Sequence, residues 1–468
     1  MKRNIFLPLV FSLFLVLISA YGNQLQAQPV KATVITVNDV GDSVDAAPDD
    51  GICADAAGRC TLRAAIAESN ARIGTDVIIF DVPVPAVITL TLGELKTTDS
   101  VSILGRGARR LTIQRRNSND TSNFRVFNLT APTQLRGLTI RNGNSSTSGG
   151  GILSSAGLRL YDVMITGNNA RSGGGIALQG SEAGSSIIER CLITANTSSQ
   201  QGGGIYIAPG MYPSVKSSSL TNNSAVAGGA IANYGEPVLV NNTIARNSAS
   251  QGSSSVLNGS GSYTKVINTI IGPDTGQTVS SVGGQFFSLG SNIVTNTTGS
   301  SGWSSDDQVS TNNGIDPMLG KLSDNGGQTD MMAVLQGSPA INMGDDCVIS
   351  IGCGGFPFID VPTRDQRKFP RIAGAHVDVG AYESSASLST NTFMVSLFFG
   401  QTHRIAYSRV TVINTETLEK RTSFIALRDQ LQGLSGGIPP MSFQHNNVYV
   451  AEVHTKRSAI FSPSIFDF

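Results

Sequence analysis

The chain has 468 residues, only 14% of them charged, and 33 Lys and Arg balance 33 Asp and Glu. A nucleic-acid partner would require a basic excess, and none exists. Ser, Thr, Asn and Gly supply the polarity instead, and regularly repeated apolar positions argue against disorder.

In chain order, the basic start Met1-Lys2-Arg3-Asn4 leads into an apolar run from Ile5 to Ala20. At 16 residues the run is short for a membrane span and fits a secretory signal peptide over residues 1–27. Ala20-Tyr21-Gly22 and Ala27 are alternative cleavage points, and an uncleaved N-terminal anchor is the competing reading. Residues 28–75 read as a cap. Their best helix runs from Thr61 to Asn70, with Leu62, Ala65, Ile66 and Ser69 on one face, suited to covering the open end of a strand stack. Asp39, Asp42, Asp45, Asp49 and Asp50 cluster before it. Closely spaced oxygen ligands suit calcium, the one cofactor the sequence suggests, but no strict calcium-loop spacing is present and a solvated acidic loop is the alternative.

From residue 76 to 300 short strands repeat. Gly149-Gly150-Gly151-Ile152 recurs at Gly173, Gly202 and, with Ala230 in third place, Gly228, at steps of 24, 29 and 26 residues. Such a period predicts an all-β solenoid, a right-handed parallel β-helix, in which neighbouring coils complete each other's core. Ile140, Ile165, Ile193, Leu220, Ile244 and Ile270 form the expected inward column. Asn168, Asn196, Asn223 and Asn247 hold matching places just after the strand and predict an internal or corner Asn ladder. In the first coil, Asn142 or Asn144 could take that place. The strand-like pieces Val77–Phe80, Val87–Leu90, Val101–Leu104, Leu111–Ile113 and Phe124–Phe127 read as earlier coils.

Five cysteines fit an oxidising compartment. Cys53 with Cys60 and Cys347 with Cys353 are the expected disulfides, Cys191 the free thiol. A four-cysteine zinc site is the alternative, at spacings wider than usual. Beyond Ser384, glycine becomes sparse, and residues 385–468 read as a β-rich extension or a tail. A membrane role would run only through that tail.

Two stretches carry a resemblance. Val37-Asn38-Asp39, Asp49-Asp50-Gly51-Ile52-Cys53 and Cys60-Thr61-Leu62-Arg63-Ala64-Ala65-Ile66 resemble the CSLREA domain of secreted bacterial proteins, with Ala64 where the motif usually has Glu. Asp316-Pro317-Met318-Leu319-Gly320, Asp324-Asn325-Gly326-Gly327-Gln328-Thr329, Asp365-Gln366-Arg367 and Val377-Asp378-Val379-Gly380-Ala381-Tyr382-Glu383 resemble a choice-of-anchor Q domain, here residues 301–384, read as the end of the solenoid. Met332 stands where that family often shows His. The resemblance implies an exported parallel β-helix at the cell surface or outside the cell, and carries over no catalytic residue.

Sugar chemistry on such a rod would need paired carboxylates. From Asn128 to Gly272 the acids are Asp162, Glu182, Glu189 and Glu236, and Asp162 aligns with Arg190 rather than with another acid. The expectation is a non-catalytic adhesin, a rod that binds an extracellular glycan or surface protein. The alternative is a polysaccharide lyase or glycoside hydrolase.

Overall fold

The computed structural model describes residues 33–116, 123–180, 186–275, 280–350, 353 and 362–384, and beyond these the placement of six strands between Thr392 and Phe466. It is a parallel β-helix. The middle coils each run through four short strands, as in Leu158–Tyr161, Met164–Thr166, Asn169–Ser172 and Ile176–Leu178. The second strands stack into a 10-stranded sheet from Ala86–Leu90 to Gln308–Val309, and the third into a 5-stranded sheet. The first and fourth form two ladders that share Val282–Ser288 and count together as 18 strands. All pairings among these sheets are parallel in the described residues, as buried apolar ladders favour.

The inward column stands as Ile140, Ile165, Ile193, Leu220 and Ile244, each fully buried. Its last member is a correction. Ile244 pairs with Ile271, and Ile270 pairs with Thr243, so Ile270 turns outward. An even step from Ile244 points one residue short, and a slip of one reverses a strand's faces.

The glycine repeat is a corner. Gly149, Gly173, Gly202 and Gly228 take φ of 63–70°, a left-handed backbone that disfavours side chains. At the following glycine a Cβ would lie 2.5 Å (Gly150) or 2.6 Å (Gly174) from the next coil's backbone carbonyl. The triplet is therefore demanded by the stacking of the coils.

Both ends are closed. The helix Leu62–Asn70 starts on Thr61, whose hydroxyl accepts from the Ala64 N–H. It buries Leu62, Ala65, Ile66 and Ser69 against Val34–Val37, Asp76–Phe80 and Leu95–Thr97. Val34–Val37, within the region read as a cap, is itself the first rung. At the far end Trp303 stacks on Phe286 at 4.6 Å between ring centroids. Cys53–Cys60 and Cys347–Cys353 are disulfides with Cα separations of 5.1 and 5.2 Å, and Cys191 is free and buried.

Among the described residues, only the strands at Ser300–Ser301 and Gln308–Val309 continue the coil from residue 300 onward. The described parts of residues 316–384 instead form a strap along the outer surface of the 10-stranded sheet. Ser219 donates to Gln366, the Ala381 N–H donates to Thr243, and Arg109 reaches Asp330 near the other end of the rod. In the tail, Tyr407–Asn414 pairs antiparallel with Lys420–Ala426 and with Tyr449–Thr455.

Candidate functional site

Columns of side chains along the axis distinguish surfaces that are spent from those that are open. The Asn ladder is internal. Asn168 Nδ2 donates to Asn196 Oδ1 at 2.9 Å, Asn196 to Asn223 at 3.0 Å and Asn223 to Asn247 at 3.0 Å. Neither Asn142 nor Asn144 opens it; the Gly143 N–H donates to Asn168 Oδ1 instead. It ends on Asp274, which accepts from the Asn247 N–H at 3.1 Å and Ser255 Oγ at 2.9 Å. Burial pushes the Asp274 carboxyl up to about 7, against the pull of these donors.

A second polar column escaped the sequence reading. Cys191, Ser218, Asn242, Thr269, Asn292 and Asp307 are linked rung to rung by backbone N–H groups donating to the next side chain. Its residue type changes from each rung to the next, so no single letter marks the column. Burial pushes the Cys191 thiol up to about 12, which leaves it inert as a nucleophile at neutral pH.

The described carboxylates between Asn128 and Gly272 are occupied. Asp162 does meet Arg190, at 3.1 Å, but the pair is not on an exposed surface. Asp162 is 2% exposed and also faces Lys368 at 3.3 Å and Arg136 at 3.6 Å. Burial opposes its charge, yet Lys368, Arg190 and Arg136 together hold its carboxyl well below the usual range. Glu189 pairs with Arg190, and Glu236 accepts from the Tyr263 hydroxyl at 2.7 Å.

The five cap aspartates have local partners. Asp42 binds Arg63 and the N–H groups of Thr91 and Leu92. Asp39 accepts from the Gly41 N–H, Asp45 from those of Ala47 and Ala54, and Asp50 from that of Ile52. The Asp49 N–H donates to Glu68. Among the described residues, no three His, Cys, Asp or Glu side chains are grouped to hold a metal ion.

The motif residues of the strap are spent on docking. Arg367 binds Asp365 at 2.6 Å and lies 3.8 Å from the Tyr382 ring centroid and 4.2 Å from that of Phe369. Gln366 donates to Thr329 Oγ1 and the Cys191 carbonyl, and the fully buried Arg371 to Ser217 Oγ and the Gly380 carbonyl. Burial pushes the Glu383 carboxyl beside them up to about 8.

The 5-stranded sheet is different. A groove of about 330 Å³ crosses its outer surface over three coils, lined by Asn123 with Asn144–Ser146, then Asn169–Arg171, then Ser199 and Gln200. Asn169 Nδ2 donates to Asn144 Oδ1 at 2.9 Å and Asn144 Nδ2 to Asn123 Oδ1 at 2.6 Å, an outer amide row parallel to the buried one. The lining has hydroxyls, amides and one guanidinium, and no carboxylate. Such a surface can hydrogen-bond an extended polar ligand but holds no acid–base pair. The outward Ser/Thr/Asn face was readable in the sequence; the groove was not, because it needs three coils in register.

No protein-family model matches this chain, and neither does any curated protein.

Proposed function

We propose that this chain is an exported, non-catalytic rod that binds an extracellular glycan or surface protein along the outer face of its 5-stranded sheet. The observation that carries this reading is the contrast in side-chain use. The described acids of the best-formed coils are tied to cations or a hydroxyl, whereas the groove presents exposed amides, hydroxyls and the Arg171 guanidinium across three coils. Two disulfides suit an oxidising compartment, and among the described residues no helix is long and apolar enough to cross a membrane. The basic-then-apolar start at Met1–Ala20 and the CSLREA-like and choice-of-anchor Q-like motifs support export in the same direction.

The test is incubation of the purified full chain with a panel of neutral and acidic polysaccharides, reading both retention and chain cleavage. Retention without steady release of reducing or unsaturated ends is the expected result. Steady release, abolished by one carboxylate substitution, would establish the lyase or hydrolase alternative.

A further inference from the structure

The balanced net charge conceals a band. Residues 33–100 contain eleven acids and four basic residues, whereas residues 101–200 contain eleven Arg, no Lys and four acids. Of those four acids, Asp162 and Glu189 are paired within the fold and Asp120 and Glu182 lie outside the described residues. The groove lies within this basic band. Arg171 is exposed in its lining; its carbonyl accepts from Ser198 Oγ at 2.7 Å, and its guanidinium makes no hydrogen bond or ion pair among the described residues. Arg125, paired through Nη1 with Glu94 at 2.9 Å, borders the groove, its Nη2 donating to Thr147 Oγ1 at 2.9 Å and Ser145 Oγ at 3.3 Å, so Arg171 supplies the open charge.

Resting on the binding function proposed above, we infer that the groove takes an acidic polysaccharide, with Arg171 pairing a carboxylate or sulfate of the polymer. Three features select this chemistry. The guanidinium is a planar fork suited to a carboxylate or sulfate. The groove itself has no carboxylate to repel the ligand. The outer amides of Asn144 and Asn169 stand one coil apart, at about 4.8 Å, and the hydroxyls of Ser146 and Ser199 lie on the coils either side of Arg171, which presents polar groups along an extended chain of sugar units. A nucleic acid is disfavoured because no aromatic side chain lines the groove for a base to stack on.

The experiment measures binding of the full chain to polygalacturonate, to its fully methyl-esterified form, to dextran sulfate and to a single-stranded oligodeoxythymidylate. The expected result is binding to polygalacturonate, dextran sulfate or both, weakened by salt, with the ester bound at least tenfold less well. Arg171→Gln is expected to weaken binding about tenfold, the scale of one charge-assisted hydrogen bond. Arg159→Gln, which removes an exposed arginine from the 18-stranded sheet, is expected to leave it unchanged. Equal binding of the ester, an unaffected Arg171→Gln, an equal loss in Arg159→Gln, or tighter binding of the oligodeoxythymidylate would each overturn the inference. A chain that binds neutral glycans or a surface protein but no acidic polymer overturns this assignment alone. A chain that binds none of these overturns the binding function as well.

Discussion

The 10-stranded and 5-stranded sheets belong to the same coils, yet their outer surfaces have opposite fates. From Leu192 onward the first lies under the strap, and its outward residues include Leu192, Ile270 and Ile293. The second carries Asn144, Asn169, Thr197, Ser224 and Ser248 in the equivalent row and stays open over the groove. On a solenoid the inward row says only that a core exists. The outward row records whether a face has a cover.

The largest expected effect strikes what both faces share. Ile193→Asp places an unpaired charge in the fully buried column and should abolish cooperative folding, lost from circular dichroism as well as from thermal melts. A variant that melts near the wild-type temperature would mean that the column is not the core. Next comes the covered face. Arg371→Met removes the fully buried guanidinium that donates to Ser217 and Gly380 and whose charge offsets those of Asp365, Asp378 and Glu383, and should cost about 3–5 kcal/mol in denaturant unfolding. Protease should then cut first between residues 319 and 384; first cuts inside the coils would show that the strap is not a separable cover.

A smaller effect depends on pH. The Asp274 carboxyl sits at about 7 in the fold against an ordinary 3.8, so the folded chain holds the proton more tightly than the unfolded one. Its stabilising contribution is complete below 3.8 and drains away as pH rises to about 7. Thermal melts at pH 5 and pH 8 should therefore show a lower midpoint at pH 8, and Asp274→Asn should narrow the gap without closing it, because Glu383 titrates in the same sense. An unchanged gap would relieve Asp274 of the role. The smallest effect belongs to the open face. Asn169→Ala should change stability by less than about 0.5 kcal/mol, so any loss of ligand retention it causes reports on the groove itself.

Much of this was legible in the sequence, and the boundary has physical causes. The inward isoleucines, the Asn ladder, the capping helix and both disulfides were readable because each depends on one residue type recurring, or on neighbours in the chain. Ile270 was misplaced because a strand's face depends on counting, and one extra residue changes it. The strap was read as the end of the solenoid. Its docking rests on contacts between residues far apart in sequence, such as Ser219 with Gln366 and Thr243 with Ala381, and no periodicity announces these. The Arg171 groove was hidden for a related reason: net charge averages over a chain whose acids and bases are segregated along its length.

The two buried polar columns also show how an internal ladder ends. A stack of identical rungs contains nothing that says where to stop, since each rung gives to the next and receives from the one before. An aspartate breaks that rule, because its carboxyl lacks the amide NH2 that an Asn passes to its neighbour. One column halts at Asp274, facing Asn247, and the other at Asp307, facing Asn292. Each marks where its own column stops and not where the rod does, since the strands Ile293–Val294 and Gln308–Val309 still stack beyond the Asp274 rung.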